Sequence, residues 1–73
     1  MANIRDNQGI LLVGANIRKY RTAAKLSQQD LANMIDTDLS QINRIELGKI
    51  NTTVAILFAI GKALNVEPHL FFQ

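Results

Sequence analysis

The sequence predicts an all-α protein, a compact five-helix bundle with two short helices joined by a tight turn at its centre. Two observations support this class. Apolar residues recur at spacings of three and four along most of the chain, and Ser, Thr or Asp residues suited to capping a helix precede these stretches. With 73 residues the chain has room for one domain. We expect a loose polar arm over residues 1–8 and the helical domain over residues 9–73.

The central helix pair spans Leu26–Gly48. Its inward residues, spaced as on one helical face, are Leu31, Ala32, Ile35, Ile42 and Ile45. Each helix has its own start signal, because Ser27 followed by Asp30, and Asp38 followed by Gln41, both resemble a capping box. Helices this short are marginal in isolation, so we expect the rest of the chain to pack against them.

A tight connection at Asp36-Thr37 joins the two helices of the pair. Such a turn needs a residue that accepts a positive φ, and Asp is among the few side-chain-bearing residues that tolerate this conformation. Gly48, which follows Leu47, is typical of a helix C-cap. We therefore expect the pair to end at Gly48 and a loop to cover Lys49–Asn51.

The helix before this pair is predicted from near Ile10 to about Lys25. Its inward residues are expected to be Leu12, Ile17 and Tyr20, with Ala24 near its end. Arg18, Arg21 and Lys25 follow one another at steps of three and four, so they share a stripe of this helix. By spacing alone, the stripe is a solvated face.

The fourth helix is predicted to begin after the N-cap Thr53 and to end near Leu64, with Asn65 as a left-handed cap residue. It is apolar around much of its circumference, which is typical of a helix buried on more than one side. In so small a domain, a second copy of the chain can bury one of these sides. A short fifth helix opens at Glu67-Pro68, with the proline in its first turn.

Charge is distributed unevenly along the chain, whose net charge is +2. Residues 1–25 carry five Lys or Arg residues against one Asp, whereas residues 26–49 carry two against four acidic residues. The basic excess therefore lies before the helix pair. It favours a polyanionic partner, although the chain as a whole is not strongly basic.

The composition argues against several classes of protein. There is no cysteine for a disulfide or a thiolate metal site, and Val54–Ile60 is an apolar run far shorter than the ~20 residues that span a bilayer. We therefore expect a cytoplasmic protein with no membrane partner. The turn and the cap explain Asp36 and Asp38, and His69 has no second His nearby, so no metal is predicted. No catalytic constellation is recognisable, and we predict no enzyme, cofactor or small-molecule ligand.

Five helices with a tight turn between the second and the third form the helix-turn-helix layout. The sequence here resembles the phage repressor and Cro-like (Xre-type) DNA-binding family, which implies the lambda-repressor-like fold. The resemblance extends from about Ala15 to Phe72. It is carried by Leu26, Ser27, Gln28, Gln29, Asp30, Leu31, Ala32, Ile42, Ile45, Glu46, Gly48, Ala63, Leu64 and Val66. The sequence departs from the family pattern at Asp36, where Gly is usual, and at Thr52, where Pro is frequent.

In this family the third helix lies in the major groove of DNA. Because Ile42 and Ile45 point inward, the opposite face carries the residues for which the resemblance implies base contacts: Leu39, Ser40, Asn43 and Arg44. Arg44 suits a guanine edge, Asn43 an adenine edge and Leu39 a thymine methyl group. Without the resemblance, the same residues describe an ordinary solvated face.

The resemblance also implies contacts with the DNA backbone, from Ser27, Gln28, Lys49 and Asn51. Gln28 opens the second helix, whose free N–H groups and positive dipole end suit a phosphate. Capping alone explains Ser27. The family pairs the positions of Arg21 and Glu46 in a partly buried salt bridge between the first and third helices, so we do not count Arg21 as a DNA contact.

We therefore predict a sequence-specific transcriptional regulator that binds double-stranded DNA as a homodimer. The expected dimer surface comprises Ile56, Ile60, Ala63, Leu70, Phe71 and Phe72. Small regulators of this shape resemble phage repressors, antitoxin-side regulators and restriction–modification controller proteins, and the sequence does not choose among them. The alternative is a protein-interaction module, in which the acidic middle of the chain binds a partner protein instead of DNA.

Overall fold

The computed structural model describes residues 4–73. In this range the chain forms four α-helices, a 3-10 helix and no strand. The elements are α1 (Asn7–Ala23), α2 (Gln28–Met34), α3 (Leu39–Glu46), α4 (Val54–Leu64) and a 3-10 helix over Pro68–Phe72. The α2 and α3 helices pack on each other, and α1 lies against α3 and the 3-10 helix. Over these residues, no helix has the length and apolar character needed to cross a membrane.

The prediction of a five-helix bundle is wrong in its number of α-helices, because residues 4–73 form four. The last predicted helix is a 3-10 helix of five residues, in which the Leu70 N–H donates to the Glu67 carbonyl oxygen at 3.0 Å. This bond reaches back three residues, which is the 3-10 pattern and is common in elements this short. Pro68 occupies the first turn, as expected.

The first helix starts earlier than predicted, at Asn7 and not near Ile10. The carboxylate of Asp6 accepts a hydrogen bond from the Gly9 N–H at 2.9 Å, and this N-cap sets the start of the helix. Asn7 and Gln8 are therefore helical and do not belong to a loose arm. The part of that prediction that concerns residues 1–3 lies outside the described residues.

The inward face of α1 also differs from the prediction at Leu12, which is 42% exposed. Ile17 is fully buried, as expected, and Val13 packs against the core in the place given to Leu12. Between them, Gly14 allows α1 to approach α3 closely, because a Cβ at this position would lie 2.3 Å from the Ile45 carbonyl oxygen. The backbones of α1 and α3 are therefore in direct contact.

The hydrophobic core draws on every helix. It consists of Ile17, Leu31, Ala32, Ile42, Ile45, Leu57, Ile60, Leu64 and Phe71. Apart from Ile17 of α1, these side chains come from elements of 5 to 11 residues, which are too short to be stable alone, so burying them together supplies the stability that these elements lack.

The predicted N-caps are confirmed at the starts of α2, α3 and α4, and the capping box is confirmed for α2. Ser27 and Asp30 form a reciprocal capping box, with both hydrogen bonds at 2.9 Å. At the start of α3, the Asp38 carboxylate accepts from the Gln41 N–H at 2.7 Å, which is the N-cap half of such a box. Thr53 caps α4 in the same way. Each cap satisfies a backbone N–H that would otherwise have no partner in its helix.

The backbone takes positive φ values where the sequence indicated them. Asp36, in the turn between α2 and α3, has φ of 57°, Gly48 has 70° and Asn65 has 57°. Lys25, after α1, has φ of 60° as well, and no feature of the sequence pointed to it. A Lys at such a position is unfavourable, and backbone hydrogen bonds from the Lys25 N–H to the Thr22 carbonyl oxygen at 3.0 Å and from the Leu26 N–H to the Arg21 carbonyl oxygen at 3.2 Å hold the connection in this conformation.

Arg21 and Glu46 form a buried salt bridge between α1 and α3. The guanidinium donates to both carboxylate oxygens, at 2.6 and 2.9 Å, and to the Leu26 carbonyl oxygen at 2.7 Å. Arg21 is 8% exposed and Glu46 is 7% exposed. The hydrogen bonds to Glu46 raise the pKa of Arg21 above its ordinary value, although burial acts in the opposite direction. The pair thus joins α1, the segment before α2, and α3.

We predict that Glu46→Ala lowers the free energy of unfolding by about 3 kcal/mol, because it leaves a buried guanidinium without its carboxylate. Thermal or denaturant unfolding measures this loss. Glu67→Ala is the control, since Glu67 is exposed and is expected to change stability little. An unchanged melting curve for Glu46→Ala would contradict a stabilising role for the pair.

Candidate nucleic-acid interface

The α3 helix presents one accessible face on the side away from the core. Ile42 and Ile45 are buried, whereas the opposite side consists of exposed residues: Leu39, Ser40, Asn43, Arg44 and Leu47. All four residues predicted to contact bases therefore lie on the same side of an eight-residue helix that is about 12 Å long. This geometry allows several of them to reach one surface at the same time.

The side chain of Gln28 lies between α2 and α3 and is partly buried. Its Nε2 donates to Glu46 Oε1 at 3.0 Å, and its Oε1 accepts a long hydrogen bond from Asn43 Nδ2 at 3.5 Å. Gln28 thereby links the buried Arg21–Glu46 pair to Asn43 on the exposed face of α3. Gln28 was predicted to contact phosphate alone, since its separation of 18 residues from Glu46 gave no sign of this hydrogen bond.

An open groove separates the start of α2 from the start of α3. Its lining consists of Gln28, Gln29, Thr37, Asp38, Leu39, Ser40 and Asn43. The groove brings Gln28, which was predicted to contact phosphate, beside three of the residues predicted to contact bases. Most of its lining groups carry polar side chains, which suit hydrogen bonding to another molecule.

Ser27 is occupied by its own helix. Its hydroxyl accepts from the Asp30 N–H, and its backbone N–H donates to the Asp30 carboxylate. The hydrogen bond from this N–H is the main reason why the pKa of Asp30 lies below its ordinary value. The structure therefore gives Ser27 a complete role as a cap, whether or not it also contacts a ligand.

Lys49 and Asn51 are exposed in the segment between α3 and α4. The Lys49 N–H donates to the Arg44 carbonyl oxygen at 2.9 Å, which folds this segment back onto the end of α3. Arg5, which precedes α1, donates from Nη2 to the Lys49 carbonyl oxygen at 3.2 Å. Arg5 was not predicted to be a site residue, because Arg5 and Lys49 are 44 residues apart in the sequence and come together only in the fold.

The acidic residues of the helix pair are mostly engaged in local structure. Glu46 is paired with Arg21, while Asp30 and Asp38 accept backbone N–H groups at the starts of α2 and α3. Glu46 is therefore buried, whereas Asp30, Asp36 and Asp38 are exposed. Arg44 and Lys49 are exposed as well.

The predicted dimer surface is wrong at two residues. Ile60 and Phe71 are fully buried in the core of this chain, so they cannot meet a second copy. Ile56, Ala63 and Leu70 are partly buried, and Phe72 is exposed. The buried side of α4 differs from the predicted one. A helix that is apolar almost all round has no periodicity that indicates which side faces the core.

Two large apolar side chains on the outer side of α4 were not included in the predicted surface. Val54 is 69% exposed and Phe58, one turn further along, is 53% exposed. Phe72 and Phe58 line different clefts, since Phe72 lies with Leu57 and Phe58 lies with Gly61 and Val66. Val54 and Phe58 therefore form an exposed apolar pair on one face of α4.

Comparison with known proteins relates this architecture to a family. Residues 17–71 match the profile of the HTH_3 helix-turn-helix family. An uncharacterized transcriptional regulator in the ATPase CF(0) region of Rhodospirillum rubrum is 38% identical over 61 residues, which cover 84% of this chain and 56% of that protein. A regulator of the helix-turn-helix type from Sinorhizobium fredii is 36% identical over 61 residues, 84% of this chain and 43% of that protein. This chain thus spans about half the length of these two relatives.

Two control proteins are also similar. The control protein C.SmaI of Serratia marcescens is 32% identical over 56 residues, which cover 77% of this chain and 67% of that protein. The crystal structure of the restriction–modification controller protein C.AhdI of Aeromonas hydrophila superposes with a TM-score of 0.83 at 32% identity, over 86% of this chain and 96% of that one. A hypothetical transcription factor from Neisseria shares the fold with a TM-score of 0.84 at 22% identity, over 100% of this chain and 85% of that one. The chain belongs to the HTH_3 (Xre or Cro/C1-type) helix-turn-helix family of transcriptional regulators.

Proposed function

We propose that this protein is a sequence-specific DNA-binding regulator of transcription, with α3 in the major groove. The observation that carries the proposal is the exposed face of α3, which carries Asn43 and Arg44 and on which Asn43 contacts Gln28 of α2. An α-helix fits the major groove, and amide and guanidinium groups are suited to reading base edges. Similarity to two control proteins favours a regulator of that kind.

Base readout is assigned to the exposed face of α3. Arg44 is exposed there, and its planar guanidinium can donate two parallel hydrogen bonds to a guanine edge. Asn43 is suited to adenine, and the contact of its Nδ2 with Gln28 limits the freedom of its side chain before DNA is bound. Ser40 is permissive, and Leu39 is positioned for a thymine methyl group.

Backbone contacts are assigned to the start of α2 and to the segment after α3. Gln28 and Lys49 are the principal candidates, with Asn51 and Ser27 beside them. Contacts of this kind set the register of the protein on the duplex but carry no sequence information. Gln28 therefore has two roles in the proposal. Its side chain contacts Asn43 and is also assigned to the DNA backbone.

The protein is proposed to act as a homodimer that binds a palindromic site, with the two α3 helices about 34 Å apart. We place the centre of the dimer surface at Val54 and Phe58, which are exposed one turn apart on α4, and add Phe72 as a further exposed apolar residue. Ile56 and Ala63 pack partly against the core and can contribute less. Neighbouring exposed apolar side chains on one helix face suit an interaction surface.

The proposal predicts that wild-type protein selects a palindromic sequence from a random pool of duplexes. It also predicts that affinity for mixed-sequence DNA falls steeply with salt, with a slope of about −0.9 for each phosphate neutralised. Sequencing of the selected duplexes measures the first effect, and binding titrations at several salt concentrations measure the second. Absence of binding at low salt would instead support a protein-interaction module.

Separate variants test the division between base and backbone contacts. Arg44→Ala should cost about 1–3 kcal/mol of binding free energy and relax preference at one base position of each half-site. Gln28→Ala should weaken binding to all sequences, with any loss of base preference confined to the position assigned to Asn43, whose side chain Gln28 contacts. Gln29→Ala is the matched control, because the Gln29 side chain bonds Asn33 of its own helix at 2.9 Å. Equal, sequence-independent losses for Arg44→Ala and Gln28→Ala would contradict the assignment.

The dimer surface is tested by Phe58→Glu, which places a charge in the proposed apolar contact. Sedimentation should show a monomer, and binding to the palindrome should fall while binding to a single half-site persists. Met34→Glu is the control, since Met34 is similarly exposed but lies on α2. If Phe58→Glu sediments like the wild-type dimer, the surface is elsewhere.

A further inference from the structure

Arg5 is far from α3 in the sequence but adjacent to its end in the structure. Its Nη2 donates to the Lys49 carbonyl oxygen at 3.2 Å, a contact across 44 residues. Its Nε donates to Asn7 Oδ1 at 2.7 Å, which ties the same side chain to the first turn of α1. Two hydrogen bonds therefore hold an exposed guanidinium beside the segment that carries Lys49.

Most of the hydrogen-bonding capacity of this guanidinium is unused. An Arg side chain has five N–H donors in a fixed plane, and the two bonds described here engage two of them. Its nearest acidic neighbour in sequence, Asp6, uses its carboxylate to cap α1 through the Gly9 N–H. Over residues 4–73 the salt bridge of the chain joins Arg21 to Glu46, so Arg5 has no carboxylate partner in this range.

We propose that Arg5 is an additional DNA phosphate contact, which extends the binding surface from the α2–α3 pair to the start of α1. This inference rests on the proposed DNA-binding function. The free donors and the uncompensated charge of Arg5 suit a phosphate oxygen, for which guanidinium groups are well matched. Its position beside the segment after α3 places it with Lys49, so the two cations contact the same stretch of backbone.

The location also argues for phosphate over bases. Arg5 bonds the segment that follows the C-terminal end of α3, whereas base readout is assigned to the exposed face of α3 from Leu39 to Arg44. A contact at this place contributes affinity without sequence preference. Because its two hydrogen bonds already orient the side chain, less freedom is lost when it binds.

The alternative role for Arg5 is that of a support for the Lys49 segment, with no contact to DNA. The salt dependence of binding separates these roles. A cation that neutralises a phosphate contributes to the slope of affinity against salt, whereas a residue that only supports a neighbour changes affinity without removing a charge from the interface.

The experiment compares wild-type protein with Arg5→Ala, Arg5→Lys and the control Lys19→Ala. Lys19 is an exposed cation of α1 whose ammonium lies 5.2 Å from the Tyr20 ring, so the control removes the same charge without contacting the Lys49 segment. Each variant is titrated with a selected duplex and an unrelated duplex between about 50 and 200 mM salt. Thermal melts verify that all variants fold like the wild type.

Arg5→Ala should make the salt slope shallower by about 0.9, so that its loss of affinity between 50 and 200 mM salt is about threefold smaller than that of wild type. Its affinity at low salt should fall equally for both duplexes, while Arg5→Lys and Lys19→Ala keep the wild-type slope. A wild-type slope for Arg5→Ala would overturn the inference, even if the affinity fell. Absence of salt-dependent binding by wild-type protein would overturn the proposed function itself.

Discussion

The arrangement of the helices depends on the hydrogen bonds that the buried carboxylate of Glu46 accepts. It accepts two hydrogen bonds from Arg21 of α1 and one from Gln28 of α2, while its own backbone belongs to α3. A charge buried to this degree must be compensated, because an unpaired ion in the interior is costly. The compensation therefore specifies where α1, α2 and α3 lie relative to one another. The same carboxylate also orients Gln28, whose Oε1 meets Asn43 on the exposed face of α3. The stability of the fold and the geometry of the candidate DNA-binding face therefore both depend on the Glu46 carboxylate.

This use of acidic residues changes the meaning of the charge pattern. Residues 26–49 have an excess of negative charge, which opposes contact with DNA where it is exposed. The Glu46 carboxylate is buried against Arg21, and the exposed carboxylates of Asp30 and Asp38 lie at the starts of α2 and α3, where the positive end of the helix dipole partly offsets their charge. The exposed cations Arg44 and Lys49 lie on the same part of the molecule, and Arg5 joins them from the start of the chain. Net charge along a segment therefore does not describe the electrostatics of the surface that the segment forms.

Close packing decides two further features that bear on function. Because Gly14 has no side chain, the backbone of α1 contacts the backbone of the last turn of α3. This contact fixes the position of that turn. The orientation of α4 then determines which apolar side chains remain for a second copy of the chain. Because α4 buries Leu57, Ile60 and Leu64, it leaves Val54 and Phe58 in solvent. The packing of α4 against the core therefore determines which of its apolar residues are exposed for the proposed dimer surface.

The sequence by itself determined the helical class, the helix pair with its turn, the caps at Ser27, Asp38 and Thr53, and the inward residues Ile42 and Ile45. These features depend on interactions within about four residues, so local patterns are sufficient to predict them. Family resemblance pointed to the Arg21–Glu46 pair and to the exposed residues of α3. Only the tertiary structure decided the buried side of α4, the link between Gln28 and Glu46, and the contact of Arg5 with Lys49. Each of these joins positions that are distant in the chain or chooses among equally apolar faces, and local spacing contains no information on either.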